Sequence, residues 1–286
     1  MTIQEALTEG RARLRDAGIE NPGLDAALLL AFVLKTNREM LILQGTETLG
    51  EGAGAGFTRL LDRRTAGECT AYILGRKEFR GLDFTVTPDV LVPRPDTETL
   101  VEAALAIGNG QNLAALDLCT GSGAVAIALK HESPSMEVYA ADISPKALTI
   151  ARENARRILG AGGIIHFLEA DLFTPLTISR FPLGFSLITA NPPYIATGEI
   201  AALAREVRGE PLLALDGGED GLSLIRRIIT EAPAFLLPGG SLLMEADPGQ
   251  MAQITLILEK KEYRDIRTYQ DLSGRDRVIT GVAPPG

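Results

Sequence analysis

The stretch "LDLCTGSGAVA", from Leu116 to Ala126, decides the fold of this 286-residue chain. It has the pattern of a short buried strand, "LAALDL", followed by a glycine loop and the start of a helix. Gly121 and Gly123 let the backbone pass close to a ligand, and the loop leads into a helix N-terminus with free N–H groups. A strand, a glycine loop and a helix in this order indicate an α/β protein with a ligand site at the strand end.

Strands and helices continue to alternate after this loop. The strands are predicted from "EVYAADI", "IIHFLEAD", "FSLITA" and "GGSLLMEA", and the clearest helices from "PKALTIARENARRIL" and "GLSLIRRIITEAPAFL". This alternation predicts a mostly parallel sheet covered by helices on both faces. The last two strands, "YRDIRTYQD" and "DRVITGV", are separated only by "LSGR", so we expect them to pair antiparallel at the end of the sheet.

Three regions differ in pattern along the chain. Residues 1–75 show helical periodicity and contain no catalytic cluster, which predicts a small helical domain that serves as a docking surface or lid. Residues 76–95 contain short β-rich runs broken by glycine and proline, which predict a hairpin connector. The α/β domain follows over residues 96–286, and Asp96 is a candidate N-cap for its first helix.

Composition excludes several classes of function. The chain carries a net charge of −9, so it has no global attraction to a phosphate backbone. Its two cysteines, Cys69 and Cys119, match neither a disulfide framework nor a metal pattern, and they suit a reducing compartment. His131 and His166 do not cluster with them, so we predict no metal site. Because neither a signal peptide nor a membrane helix is evident, we expect a soluble cytoplasmic protein.

An acidic residue follows the glycine loop at the spacing expected for a nucleoside site. Asp142 ends the next strand, where its carboxylate can accept both hydroxyls of a ribose. Asp171, after the third strand, could bind the adenine amino group, and Leu172 could pack on the ring. The loop also fits the dinucleotide fingerprint G-x-G-x-x-A, so these residues leave both NAD and S-adenosylmethionine open as the cofactor.

A second motif, "NPPY", follows the strand "FSLITA". Because Asn191 and Pro192 each precede a proline, both are held in extended conformations, and a backbone carbonyl can point into the cleft. The Asn191 side chain adds a second acceptor, and two acceptors match the two N–H groups of a planar NH₂. Gripping both hydrogens would help that nitrogen to pyramidalise, and Tyr194 could stack on the planar group.

The two motifs together favour a methyl donor over NAD. Asparagine is not a general base, so catalysis would depend on positioning and electrostatics, with the proton lost after transfer. A methyl sulfonium needs alignment more than acid catalysis, whereas hydride transfer would require a proton donor. We therefore expect S-adenosylmethionine as the cofactor.

Several segments resemble the release factor glutamine methyltransferases of the HemK/PrmC family. The resemblance covers nearly the whole chain, through the helical N-terminal region, "VPRPDTETLVE", "LDLCTGSGAVAIAL", "ADIS", "ANPPYI", "GEPLLALDGGEDGL" and "GRDRVITG". The proline motif is shared with N6-adenine methyltransferases, but "PRPDTE" and "EPLLALDGGEDGL" are far more specific.

This resemblance implies a seven-stranded class I methyltransferase (Rossmann-like) sheet with a helical N-terminal domain and a hairpin connector. It implies transfer of methyl from S-adenosylmethionine to N5 of the glutamine in the Gly-Gly-Gln motif of class I peptide chain release factors, with the N-terminal domain touching the release factor. The cofactor would be held by Cys119, Thr120, Gly121, Ser122, Gly123 and Asp142, and we expect Asp171, Leu172 and Asn191 to contact it as well. The glutamine would be gripped by Asn191, Pro192, Pro193 and Tyr194, with Asn191, Pro192 and Tyr194 as the catalytic residues.

The chain departs from the family pattern at two positions. Cys119 replaces the first loop glycine, for which we expect a modest backbone adjustment, and Leu172 replaces an aromatic residue, which would weaken stacking on adenine. Two other classes of function also remain open. A nucleic acid methyltransferase would share the proline motif but should show a basic recognition region. A dinucleotide-binding module would explain the glycine loop but leaves "NPPY" without a role.

Overall fold

A computed structural model describes residues 1–108, 113–174 and 184–284 of the chain. The chain divides into two compact units. The first, called here the helical unit, comprises residues 1–76 and 204–209, and the second, called the sheet unit, comprises residues 77–203 and 210–286. Within the described ranges, no helix combines the length and the apolar character needed to cross a bilayer.

The helical unit contains five helices around one apolar core. They are α1 (Ile3–Asp16), α2 (Pro22–Leu34), α3 (Arg38–Leu43), α4 (Glu51–Thr65) and α5 (Thr70–Leu74). A capping box begins α1: the Thr2 hydroxyl accepts from the Glu5 N–H at 3.2 Å, and the Glu5 carboxylate accepts from the Thr2 N–H at 2.7 Å. The core contains the fully or nearly fully buried side chains of Leu14 in α1, Leu29 and Leu30 in α2, and Leu61 in α4. The glycines that follow Glu51 lie within α4.

A six-residue segment from the second half of the sequence, residues 204–209, belongs to the helical unit. Its Glu206 pairs with the buried Arg64 of α4 at 2.5 Å, and Arg64 also pairs with Asp25 of α2 at 2.7 Å. Two carboxylates therefore neutralise one buried guanidinium, as a buried charge requires. The segment starts ten residues beyond Tyr194, which no local sequence pattern indicated.

The sheet unit is built on seven strands. A two-stranded hairpin, β1 (Arg76–Phe79) and β2 (Leu82–Thr85), precedes them. The strands are β3 (Ala114–Leu118), β4 (Glu137–Asp142), β5 (Ile165–Glu169), β6 (Phe185–Ala190), β7 (Leu236–Glu245), β8 (Arg264–Gln270) and β9 (Asp276–Val282). Their order is β5-β4-β3-β6-β7-β9-β8, with the first five parallel and β9 antiparallel to both of its neighbours.

Five helices accompany this sheet: α6 (Glu98–Ile107), α7 (Ala124–Glu132), α8 (Pro145–Leu159), α9 (Ser223–Glu231) and α10 (Met251–Lys260). They belong to two separate apolar cores. One core joins α6 and α7 to the sheet, and the other joins α9 and α10. Neighbouring residues of β3 divide between them, Ala115 in one and Leu116 in the other, because successive side chains of a strand point to opposite faces.

The predicted fold class is confirmed: the sheet is mostly parallel, and its last two strands pair antiparallel. Two details differ. Helix α10 follows β7 and was not predicted. Asp96 is not the N-cap of α6, because a short 3₁₀ turn precedes that helix, the cap residue is Thr97, and the Asp96 carboxylate pairs with Arg277 at 3.1 Å. A long-range ion pair therefore replaces the local cap.

The register of the central strands determines where the ligand site lies. Leu118 of β3 is level with Ala141 of β4 and with Ala190 of β6. The next residues along each strand are Cys119, Asp142 and Asn191, so the three loops leave the sheet at the same edge. In parallel sheets this is the edge where ligands bind.

Candidate active site

An open cleft lies at the carboxyl ends of β3, β4 and β6 and holds about 1140 Å³ of space, including its mouth. All of its lining residues belong to the sheet unit. The residues predicted from the sequence that line it are Cys119, Thr120, Gly121, Ser122, Asp142, Asp171, Leu172, Asn191 and Pro193. The other predicted residues, Gly123, Pro192 and Tyr194, are not among its lining residues.

The glycine loop holds the Asp142 carboxylate by backbone hydrogen bonds. The Gly121 N–H donates to Oδ2 at 2.8 Å and the Ser144 N–H donates to Oδ1 at 2.9 Å. Each oxygen keeps a further lone pair for a ligand. Gly121 has a φ of +56°, and nothing lies within 4 Å of the place a Cβ would take, so the backbone is open to the cleft there. Burial raises the pKa of Asp142, and the Ser144 and Gly121 N–H groups counteract it.

Cys119 occupies a backbone position that favours glycine. Its φ is +56°, in the left-handed region, which costs an ordinary side chain about 1–2 kcal/mol. Burial and the neighbouring carboxylates, chiefly Asp142, raise the pKa of its thiol far above the usual range. The thiol is therefore neutral at physiological pH and a poor nucleophile.

Asp171 and Leu172 form the third loop of the cleft. Asp171 Oδ1 accepts from Arg227 of α9 at 3.0 Å, in a pair that is about half exposed. Leu172 has a φ of +54° and is nearly fully buried, with its side chain in the core beneath the cleft. A leucine offers a ligand a smaller surface than an aromatic ring would, and one that is not planar, so it stacks less well on a base.

Gly123 has a packing role in this structure. It precedes α7 with a φ of +83°, and a Cβ there would lie 2.9 Å from the Ile127 side chain and 3.2 Å from Ala151 of α8. Glycine allows α7 and α8 to approach closely, because real side chains do not tolerate such contacts. Its predicted contact with the cofactor remains a prediction.

The proline motif is held from several sides. The Asn191 amide nitrogen donates to the Thr97 hydroxyl at 3.2 Å, which leaves Asn191 Oδ1 as the acceptor for a ligand. The Tyr194 hydroxyl donates to Glu245 Oε1 at 3.3 Å, and the Tyr194 carbonyl accepts from the Gln250 amide at 2.8 Å. Tyr194 is therefore anchored at both its ring and its backbone.

Glycines of the "DGGEDGL" stretch pack against the backbone of the proline motif. A Cβ on Gly217 would lie 2.8 Å from the Pro193 carbonyl oxygen, and one on Gly221 would lie 2.3 Å from the Tyr194 carbonyl oxygen. The Gly217 N–H also donates to the Ile195 carbonyl at 2.8 Å. This segment needs glycine because the two backbones touch.

An ion pair between the partly exposed Arg94 and the buried Glu210 joins the two most specific segments of the sequence. Glu210 is 1% exposed at its side chain, and its Oε1 lies 2.5 Å from Arg94, while its Oε2 accepts from the Val92 N–H at 3.1 Å. Arg94 lines the cleft beside Asn191. This ion pair therefore joins the segments "VPRPDTE" and "GEPLLALDGG" at the edge of the site.

Asp117 is a site residue that the sequence reasoning missed. It lies in β3, lines the cleft floor and is only 1% exposed. Its carboxylate accepts from the Thr120 hydroxyl at 2.6 Å and from the Thr189 hydroxyl at 2.8 Å. Burial raises its pKa to about 7 in spite of these bonds. An acid within an otherwise apolar strand was the available signal.

We expect Asp117 to make the unliganded protein lose stability as pH rises from about 4 to about 7. The pKa of Asp117 is about 7 in the folded protein and about 4 in the unfolded chain, so on raising the pH the unfolded chain loses this proton first. Between these two values the free energy of unfolding falls by about 1.4 kcal/mol for each pH unit. Urea unfolding of wild type and Asp117→Asn at several pH values would check this. A difference between the two proteins that stayed constant with pH would contradict it, since other groups titrate alike in both.

The chain matches two families over separate regions. Residues 5–75 match the PrmC N-terminal domain, and residues 96–207 match the methyltransferase small domain. Proteins named release factor glutamine methyltransferase resemble it over almost its whole length. That of Moorella thermoacetica is 42% identical and covers 98% of each chain. That of Vibrio cholerae is also 42% identical and covers 98% of this chain and 96% of its own.

Solved structures resemble the fold at lower identity. A methyltransferase from Pyrococcus furiosus aligns over 80% of this chain and all of its own, with a TM-score of 0.54 at 17% identity. The hMettl16 catalytic domain, solved with an RNA hairpin, aligns over 79% of this chain and 82% of its own, with a TM-score of 0.58 at 15% identity. At such identities the likeness shows the methyltransferase fold alone.

Proposed function

This chain belongs to the release factor glutamine methyltransferase family, and we propose how its cleft carries out transfer of methyl from S-adenosylmethionine to a release factor glutamine. The observation that carries the proposal is a single cleft that joins the Asp142 loop to Asn191. The proposed nucleoside site and the proposed amide site therefore open into the same space.

The described residues fit S-adenosylmethionine. The Asp142 carboxylate retains acceptor capacity for two ribose hydroxyls, and the open backbone at Gly121 leaves room for the donor beside it. Asp171 and Leu172 line the same cleft and are assigned to the adenine in this proposal, with Asp171 Oδ2 as the acceptor, and the buried carboxyl of Asp117 lies in the same lining. When bound, this cofactor supplies an electrophilic methyl group on a positively charged sulfur. Acidic groups around the cleft favour a cationic ligand.

Asn191 and its neighbours position the acceptor amide. Asn191 Oδ1 accepts one N–H of the glutamine side chain, because its own NH₂ is engaged by Thr97. We assign the other N–H to the Pro192 carbonyl, because a residue before proline is held extended. The Pro192 residue itself is buried and is not among the lining residues of the cleft. Held in this way, the nitrogen presents its lone pair to the donor, and the rate gain comes from orientation rather than from proton removal.

We propose that the N-terminal helical domain, residues 1–75, docks the release factor and is joined by a hairpin over 76–95 to the catalytic domain over 96–286. We propose class I release factors as the substrates, recognised at their Gly-Gly-Gln glutamine, and no direct nucleic acid partner. The net charge of −9 supports this choice, because nucleic acid binding draws on basic surface. Both cysteines are free thiols, which supports the cytoplasm as the compartment.

The test is to incubate the purified protein with methyl-labelled S-adenosylmethionine and, in separate reactions, a class I release factor or duplex DNA. We expect label on the release factor alone, and on its Gly-Gly-Gln glutamine when peptides are mapped. A release factor in which that glutamine is replaced by alanine serves as the matched control and should take no label. Label on DNA, or on another residue of the release factor, would overturn the proposal.

A further inference from the structure

A buried carboxylate, Glu245, lies behind the proline motif and outside the cleft lining. It ends β7 and is 1% exposed. Its Oε1 accepts from the Tyr194 hydroxyl at 3.3 Å. Its Oε2 is buried, and no described residue donates a hydrogen bond to it. Burying a carboxyl group with an unpartnered oxygen destabilises the folded protein, so a functional role would explain why the group is there.

Thr97 connects this carboxylate to the acceptor residue. Its hydroxyl accepts from the Asn191 NH₂ at 3.2 Å, and it lies close enough to the Glu245 carboxyl to lower the pKa of that group. A hydroxyl has one hydrogen, so its direction decides which end of the Asn191 amide it can face. If the hydrogen points to Glu245, Thr97 can only accept from Asn191.

We propose that Glu245 and Thr97 are positioning residues that determine which end of the Asn191 amide faces the acceptor glutamine. With Glu245 ionised, the Thr97 hydroxyl turns its hydrogen toward the carboxylate, the Asn191 NH₂ donates to Thr97, and Asn191 Oδ1 faces the cleft as an acceptor. With Glu245 protonated, its own O–H can donate to Thr97, whose hydrogen then turns toward Asn191 and favours the reversed amide. A reversed amide presents N–H groups to the N–H groups of the substrate, and binding for transfer fails.

The charged groups around Glu245 come from three neighbouring elements. Arg277 of β9 lowers its pKa, and Asp96, before α6, raises it, while Tyr194 donates from the loop after β6. Arg277 is itself shared between Asp96 at 3.1 Å and Asp271 at 3.2 Å, so its charge is largely neutralised elsewhere. Burial is the largest influence and raises the pKa of Glu245 to about 7. The carboxyl therefore changes charge within the physiological range.

The first test compares Thr97→Val with Thr97→Ser, using release factor and S-adenosylmethionine. Valine keeps the shape of threonine but has no hydroxyl, so the Asn191 NH₂ loses its acceptor. We expect kcat to fall about 10-fold or more, since the loss of a single preorganised polar contact has an effect of at least this size. The dissociation constant for S-adenosylmethionine should stay within twofold. Serine restores the hydroxyl and should recover most of the lost kcat. Thr149→Val, on the exposed face of α8, is the matched control and should leave kcat unchanged.

The second test uses the pH dependence of kcat with both substrates saturating. Glu245→Gln keeps the shape but cannot ionise, and its NH₂ can donate to Thr97 as a protonated carboxyl would. The ratio of wild-type kcat to Glu245→Gln kcat should be large at pH 8 and fall severalfold by pH 6, as Glu245 protonates in the wild type. Asp117 titrates in the same range in both proteins, so the ratio isolates Glu245.

The inference rests on the proposed role of Asn191, and the outcomes separate the two. If Asn191→Ala abolishes transfer while Thr97→Val retains wild-type kcat, or if the kcat ratio is constant between pH 6 and 8, the positioning role is wrong and the function stands. If wild type labels no release factor, the proposed function itself fails. A Thr97→Val protein that no longer binds S-adenosylmethionine has lost its fold, and the pH ratio of Glu245→Gln then decides.

Discussion

Replacing Asn191 by alanine should lower kcat for methyl transfer to a release factor by about 100- to 1000-fold, or about 2.7–4 kcal/mol in activation free energy. The side chain supplies one of the two acceptors for the glutamine NH₂, and its oxygen is directed by the bond from its own NH₂ to Thr97 at 3.2 Å. Alanine leaves one hydrogen of the substrate amide unheld, so the nitrogen lone pair is no longer aimed at the donor.

The dissociation constant for S-adenosylmethionine should change by no more than about threefold, or about 0.7 kcal/mol, because Asn191 acts mainly on the acceptor. Single-turnover transfer and calorimetry on the same preparation would measure both quantities. Asn21→Ala is a matched control, since Asn21 is exposed and makes no side-chain capping bond. Wild-type turnover in Asn191→Ala would reject the proposed role, and a large loss of cofactor affinity would assign the residue to the cofactor instead.

Replacing Asp142 by alanine should produce the opposite pattern. Two hydrogen bonds from ribose hydroxyls to a charged carboxylate are worth about 1.5–3 kcal/mol each, so affinity for S-adenosylmethionine should fall about 100-fold or more. The carboxylate also holds the Gly121 and Ser144 N–H groups, so part of the loss comes from a less ordered loop. At saturating cofactor, kcat should fall far less than the affinity does.

Calorimetric titration with S-adenosylmethionine is the direct measurement for Asp142. Asp142→Asn keeps an acceptor oxygen and should lie between alanine and wild type. Asp16→Ala is the control, because its side chain is 67% exposed and pairs only at the surface. Since burial raises the pKa of Asp142, affinity in the wild type should also weaken on acidification at a higher pH than for an ordinary aspartate. Equal affinity in wild type and Asp142→Ala would count against the ribose contact.

Local patterns were sufficient for most of the sheet unit. The strand, glycine loop and helix around Gly121 follow from burial periodicity and from glycine's freedom at positive φ, and both are properties of a few adjacent residues. Pro145 marks the start of α8 in the same way. Helix α10 was not predicted, although its buried residues Met251, Ile254 and Leu258 recur at helical spacing.

Pattern reasoning was weaker for residues whose role comes from distant partners. Gly123 fits a ligand-binding fingerprint, and the structure adds a packing role that the fingerprint does not contain, because its missing Cβ makes room for Ala151 on α8. Asp96 has the residue type of an N-cap, but an ion pair with Arg277 uses its carboxylate. The residue type limits which interactions a side chain can make, and its neighbours in the tertiary structure determine which of them it makes.

The amino-acid sequence alone determined the alternating fold, the positions of the two motifs at strand ends and the extended bend at Asn191 and Pro192, because proline restricts its own backbone and that of the residue before it. Only the tertiary structure decided which way the Asn191 amide faces. That orientation is set by the hydrogen bond from the Asn191 NH₂ to the hydroxyl of Thr97, which is 94 positions away in the chain. Hydrogen-bond direction is a property of the assembled network, so no stretch of neighbouring residues contains it.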